Sequence, residues 1–385
     1  MMDMKTKEYF LITGMARSGT TLLDKLLGSH PSLGVLSQPF PYLYRYLKKI
    51  FFEKISHPEK YYVLNNLFQE KLYTSTDFHN FLRTFNLDRK VLIELFNEMS
   101  GWSGQLTKVS DIPNLLNEFK PDNFGKTFKF LLEELNYNSG ADTLGTKEIM
   151  VEEYISYLVS VGIKVIIIIR DPRDVYTSIN CGTGTEYVGN YRPSLFHLRN
   201  WRKSVAIANT FKAHNKVFIL KYEDLLTHQD ITLRKIADFL CIKAFPKDHF
   251  EGGIPTQAGD SWTGNSSTNK FKGIEKNNSD KYLNFLDLST IQYIEYICGP
   301  EMNSFNYNKY TNVDLGNNYN PLEFKEPFQI NIGNLPIKMS TEPDFLKEEM
   351  ERRRILENGS SNINDIISNF YSVQNYKCLA KYYQK

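Results

Sequence analysis

The 385-residue sequence has almost no net charge: 46 Lys and Arg stand against 44 Asp and Glu, a formal +2. A chain so balanced lacks the basic footprint of a nucleic-acid or polyanion binder and leaves room only for a local basic cleft. Cysteine is scarce. Cys181, Cys241, Cys298 and Cys378 lie far apart and form no C-x-x-C pair. That argues against a disulfide framework or a thiolate zinc site and for free thiols in a reducing compartment. Long apolar runs are missing too, since no stretch approaches the about 20 residues of a membrane span. The N-terminal apolar patch is short and runs into a glycine turn, so it reads as a strand and not as a signal peptide. No internal repeat is visible. What remains is a soluble, cytoplasmic chain with no nucleic-acid partner. Its 26 Phe and 24 Tyr supply a sizeable core.

What is there alternates between strand and helix. Tyr9 to Thr13 is an apolar run that stops at Gly14. After a loop over Met15 to Ser18, Leu22, Leu23, Leu26 and Leu27 fall at helical spacing until His30-Pro31 ends the helix. Thr143 to Lys147 is a second strand, and Val151, Tyr154, Ile155, Leu158 and Val159 mark one face of a following helix. Lys164 to Ile169 (KVIIII) is an unbroken apolar run of the kind buried on both faces of a parallel sheet. Asp171-Pro172 then supplies an N-cap and a first helical residue. Leu198, Trp201, Val205, Ala208 and Phe211 stripe another helix; Val217 to Leu220 is a strand, followed by a helix striped with Ile231, Leu233, Ile236, Phe239 and Leu240. This order predicts an α/β fold, a parallel sheet flanked by helices on both faces. Residues from about 41 to 138 read as a mostly helical, aromatic insertion that shapes an acceptor pocket, with a loop over 101–114. From about 310 the chain changes character: turn residues, a charged helix near 345–357, a Gly-Ser break and a final helix. The division expected is a main domain over 1–309 and a C-terminal helical extension over 310–385.

Gly14, Gly19, Thr20 and Thr21 lie where a nucleoside-triphosphate loop places G-x-x-x-x-G-K-[ST]. Glycines let such a loop fold tightly, and its N–H groups point at an anion on a helix N-terminus. The Lys position, however, holds Thr20, and the basic residue has moved into the loop as Arg17. ATP chemistry uses that Lys with magnesium to offset a highly charged γ-phosphate. A sulfuryl group carries less charge, and amides, hydroxyls and one cation suffice for it without a metal. The plainer alternative is a Gly-Thr turn that only joins strand to helix.

On these residues the segment ITGMARSGTTLLDKLLGSHPSLGVL resembles the 5′-phosphosulfate loop of sulfotransferases dependent on 3′-phosphoadenosine 5′-phosphosulfate (PAPS). The resemblance implies a P-loop-like fold, PAPS as donor and 3′-phosphoadenosine 5′-phosphate (PAP) as product. Arg17, Ser18, Gly19, Thr20, Thr21 and Leu22 would contact the donor. RDPRDVYTS resembles the family's 3′-phosphate motif, which assigns Arg170 at a strand end and Ser178 in the next helix; Arg173 and Asp174 are expected on the helix surface. LKYEDLL resembles the segment that sets a Tyr, here Tyr222, near the adenine, although a core Tyr fits equally well. SWTGNSSTNKFKG, residues 261–273, is similar to a loop of bacterial-type members and implies that Asn265 and Ser266, with Lys270 or Lys272, close over the donor. The four matches run in family order from about residue 9 to 275.

Sulfuryl transfer needs an in-line acceptor, a way out for its proton and stabilisation of charge on the leaving oxygen. Arg17 is the candidate for the last role, and Lys147 resembles a family Lys that reaches the donor. The base departs from pattern. Relatives carry Glu where this chain has Gln38, in Ser37-Gln38-Pro39, and another branch uses His where this chain has Ile149. An amide is no base near neutral pH. Glu148, Glu186 and His197 are the other candidates, and His30 reads as a turn residue. The expectation is a transferase acting on a hydroxyl or amine of a carbohydrate or small molecule. The alternatives are a P-loop kinase or hydrolase and a non-catalytic nucleotide-binding relative, for which the Gln38 amide speaks.

Overall fold

The computed structural model describes residues 7–56, 73–100, 114, 116–136, 139–181, 193–255, 262, 278–311, 319–328 and 342–383. Five strands form one parallel sheet in the order β2-β5-β1-β6-β7: β1 (Glu8–Thr13), β2 (Leu33–Ser37), β5 (Thr143–Lys147), β6 (Lys164–Ile169) and β7 (Val217–Lys221). β3 (Asn86–Leu87) and β4 (Asp122–Asn123) make a small antiparallel pair apart from it.

The pleat alternates along β1 and β6. Phe10, Ile12, Ile166 and Ile168 face one core, Leu11, Val165, Ile167 and Ile169 the other. The first core takes α1 (Thr20–Gly28), α9 (Tyr222–Thr227) and α10 (Gln229–Leu240). The second takes α2 (Pro41–Lys54), α3 (Ser75–Thr84), α4 (Arg89–Ser100), α5 (Phe124–Leu135), α6 (Ile155–Ser160), α7 (Pro172–Asn180), α8 (Ser194–Phe211) and α12 (Leu288–Ser304), with the short α11 (Tyr282–Phe285) between β7 and α12 in sequence. The expected α/β class and the helical character of the 41–138 segment are thus present in the described residues. The loop expected over 101–114 lies outside them except for Asn114.

Three local readings need correction. β2 was hidden in the residues after the His-Pro turn, where Gly34 interrupts an already short run. α12 was not expected at all, because Gly299 and Pro300 break its apolar pattern near its end. The final helix is two, α14 (Ile363–Phe370) and α15 (Val373–Ala380), after α13 (Glu342–Asn358). These C-terminal helices rest on α8 and α12 through buried ion pairs: Arg199 with Glu349 at 3.1 Å, Arg202 with Glu349, and Glu301 with both Arg202, at 3.3 Å, and Arg352.

Candidate active site

All five parallel strands point their carboxyl ends to one edge, and β1 lies between β5 and β6, where the connections diverge. That crevice is where open α/β sheets bind ligands. β1 ends in the Gly14–Gly19 loop. A Cβ on Gly14 would sit 2.4 Å from the Ile168 carbonyl oxygen, so only glycine lets the loop cross β6 this closely. Arg17 and Gly19 are left-handed, at φ 71° and 94°. The N-cap of α1 is Gly19, which has no side chain to cap the first turn, so the N–H groups at the start of the helix open toward the loop.

Arg170 follows β6 and is 4% exposed. Its Nη1 donates to the Arg17 carbonyl at 3.2 Å and its Nη2 to the Asn278 carbonyl at 2.6 Å. Its guanidinium lies 4.4 Å from the centre of the Tyr222 ring. Arg17 Nε in turn donates to Ser178 Oγ at 3.2 Å. The residues of the first two motifs therefore meet. Tyr222 is buried, with its edge against Gly19, where a Cβ would come within 2.2 Å of the ring, and its hydroxyl accepts from Asn278 Nδ2 at 2.7 Å. Arg173 and Asp174 are not surface residues. Arg173 bridges Asp171 and Glu295, both at 2.6 Å, and Asp174 accepts from the Asp280 and Tyr282 amides, because α7 is covered by residues 280–282 and by α12.

On the other side of β1, Lys147 ends β5 fully buried, and its Nζ donates to Gln38 Oε1 at 2.9 Å. Gln38, left-handed at φ 49°, turns the corner after β2. Burial pushes the Lys147 ammonium below its ordinary value, and the Asp24 charge opposes that. Glu148 is buried too. Its Oε1 accepts from the Phe40 amide at 2.8 Å, and burial raises its carboxyl to about 8. His30 is the turn residue expected: its ring meets the Lys243 carbonyl at 3.0 Å and accepts the Ser32 amide at 3.1 Å. His197 lies in α8, packed near Tyr176 and Phe196. Asn265, Ser266, Lys270, Lys272 and Glu186 lie outside the described residues.

The profile of the sulfotransferase family matches residues 10–246, well over half the chain. The chain belongs to the sulfotransferase family. Sulfuryl transfer is accordingly its class of reaction, and the family expectation is met; the fourth motif, residues 261–273, lies beyond the matched segment. No curated protein matches this sulfotransferase. Solved structures that resemble it include the sulfotransferase domain of the curacin biosynthetic pathway, at 18% identity and TM-score 0.42, covering 75% of this chain and 96% of that one. Another is the sulfotransferase domain of the Synechococcus olefin synthase, at 18% identity and TM-score 0.39, covering 76% and 95%. A third is retinol dehydratase in complex with androsterone and PAP, at 15% identity and TM-score 0.37, covering 80% and 82%.

Among the buried polar atoms of the described residues that lack a hydrogen-bond partner are two at this site, Ser18 Oγ in the loop and Arg170 Nε at the end of β6. Buried polar groups are normally satisfied. A hydroxyl and a guanidinium N–H left over next to uncapped helix amides fit an anionic ligand such as a phosphosulfate. Motif reading missed three contributors. Asn278 touches both Arg170 and Tyr222, Trp201 Nε1 donates to the Arg170 carbonyl at 2.8 Å, and Asp24 lies beneath the Gln38 corner. Trp201 was visible in the sequence only as part of a helix stripe, and Asp24 is an acid on a leucine-striped helix.

Proposed function

We infer that the protein transfers a sulfuryl group from PAPS to a hydroxyl or amine of a carbohydrate or small-molecule acceptor, releasing PAP, without a metal ion and in the cytoplasm. One observation carries the reading: the two expected halves of the donor site are joined by direct bonds, Arg17 Nε to Ser178 and Arg170 Nη1 to the Arg17 carbonyl. The cytoplasmic assignment is supported by four free cysteines, and among the described residues no helix is long and apolar enough to cross a membrane. Residues 1–309 would form the transferase, with 310–385 an extension docked on it.

When bound, PAPS supplies an activated sulfuryl group and a 3′-phosphate that ADP lacks. The first amides of α1, with Ser18, Gly19, Thr20, Thr21 and Leu22, would hold the 5′-phosphosulfate. Arg17 would be the cation that offsets charge developing on the leaving oxygen, and Lys147, at the end of β5, would be a second cation toward the donor. Arg170 and Ser178 would hold the 3′-phosphate, with Tyr222 packed beside them, and Asn265, Ser266 and Lys272 would close the site. Gln38 orients the acceptor through its amide. Glu148, turned to the Phe40 amide, positions that corner.

The test is calorimetry in EDTA. PAP should bind more tightly than ADP, and Arg170→Ala should weaken PAP by about 1.5–3 kcal/mol, the usual worth of a hydrogen bond to a charged group, while weakening ADP less. Equal affinity for PAP and ADP in the natural protein would sink the reading. Metal-dependent ATP binding would favour the kinase alternative.

A further inference from the structure

Asp24 projects from the middle of α1 and is 2% exposed. Ser37 Oγ donates to its Oδ2, Lys25 Nζ donates to Ser37 Oγ at 3.2 Å, and Lys25 lies 3.6 Å from the Asp24 carboxylate. Ser37 is the sheet partner of Lys147 in the β2–β5 register, so the carboxylate comes up beneath the corner over which Lys147 reaches Gln38. A fully buried ammonium is costly unless a charge is near it. The groups facing Lys147 are few. Gln38 from β2 offers a neutral amide. Lys25 from α1 bears the same sign. Glu148, next along the chain, also favours the protonated amine, but burial raises its carboxyl to about 8 and its Oε1 is turned to the Phe40 amide. Asp24 is the larger of the two charges that favour the protonated amine. The helix that begins at the phosphate loop thus also carries the counter-charge of the lysine opposite.

We propose that Asp24, clamped by Ser37 and Lys25, is a positioning residue that keeps Lys147 protonated and aimed at the donor. This rests on the reading of Lys147 as a donor-facing cation. Gln38 cannot supply the charge, so in this chain the task falls to α1. Without Asp24, the buried Lys147 would lose its main counter-charge while Lys25 remained, the neutral amine would be favoured at the pH where the enzyme works, and PAP would bind only after the amine took up a proton.

The experiment is calorimetry of PAP binding from about pH 6 to about pH 9 in two buffers of different ionisation enthalpy, which counts protons taken up on binding. The natural protein should show little uptake at neutral pH. Asp24→Asn should bind PAP almost as well at the acid end, lose on the order of tenfold per unit of pH above the lowered lysine value, and take up close to one proton. Ser37→Ala keeps the charge but frees the carboxylate, so it should shift the same profile less; it also serves if Asp24→Asn fails to fold. A profile and proton count unchanged from the natural protein, in either variant that folds, overturns the proposal. Lys147→Met separates the two layers. If it weakens PAP while Asp24→Asn leaves the profile unmoved, Lys147 contacts the donor and Asp24 is not its counter-charge. If it leaves PAP affinity unchanged, the donor-facing reading of Lys147 falls, and the proposal with it.

Discussion

Gln38 and Arg17 are both non-glycine residues in left-handed backbone, at φ 49° and 71°, Gln38 directly after β2 and Arg17 in the loop that follows β1. Such conformations cost of order 1–3 kcal/mol and persist where the surroundings over-determine them, which happens at binding sites. The two nevertheless differ in chemistry. A guanidinium beside the leaving oxygen stabilises charge that exists only in the transition state. An amide bonded to Lys147 can orient an acceptor but takes no proton. A positioned general base contributes on the order of 100- to 10,000-fold, and Gln38 should contribute less than that. Gln38→Ala is therefore expected to leave PAP binding intact and to lower turnover modestly, chiefly through the acceptor's KM. Arg17→Ala should depress kcat far more. A donor-coupled assay of the two variants side by side decides it. Equal loss in both would place Gln38 in the catalytic machinery, and a large gain in Gln38→Glu would mark the natural protein as a weakened enzyme.

At the level of elements, the corner from β2 into α2 turns on Glu148, whose carboxyl accepts the Phe40 amide and is held at about 8 by burial, against an ordinary 4.5. Between those values the folded protein keeps a proton that the unfolded chain has released, so this group makes stability fall as pH rises through the window. Glu148→Gln keeps an acceptor for the Phe40 amide and has no proton to lose. Its melting temperature should gain on the natural protein steadily between about pH 5 and about pH 8. A flat difference would mean that Glu148 is ionised in the folded state. Elements of this kind were unevenly legible in the sequence. β1, β6 and β7 could be read because parallel strands are short apolar runs ended by Gly, Lys or Arg; β5, TLGTK, is no such run and was read from its place before the helix striped over 151–159. β2 was passed over because its five residues follow the His-Pro turn almost at once and offer only Leu33, Val35 and Leu36 as apolar signal. The loop residues and Arg170 were legible because motif spacing survives in sequence. The buried state of Arg173 and Asp174 was not, since it depends on α12 and on residues 280–282, more than a hundred positions away. Asp24 was passed over because α1 was read for its leucine face.

Across the whole molecule, the C-terminal helices are joined to the transferase by charge buried between α8, α12 and α13. Glu301 is 0% exposed and pairs with Arg202 at 3.3 Å and with Arg352; Glu349 pairs with Arg199 at 3.1 Å and with Arg202. Removing one member of a buried ion pair costs about 3–5 kcal/mol, because the other charge is left without its partner. Glu301→Gln should therefore lower the melting temperature by several degrees. Glu348 provides the control: it meets Arg199 at 2.8 Å but is about half exposed, at 48%. Pairs of that kind are worth only about 0–1 kcal/mol, so Glu348→Gln should melt almost like the natural protein. The same helix α8 reaches the donor site, since Trp201 holds the Arg170 carbonyl. Trp201 is buried in the main core, against which Phe345, Leu346 and Tyr371 of the extension also pack, but its indole bonds the Arg170 carbonyl directly, with no residue of the extension between. Where Glu301→Gln is still folded, PAP affinity should therefore match that of the natural protein. Calorimetry well below the melting transition checks this. A parallel loss of PAP affinity would show that the extension sets the geometry of Arg170 through α8, and that 310–385 belongs to the working transferase and is more than a stabilising addition.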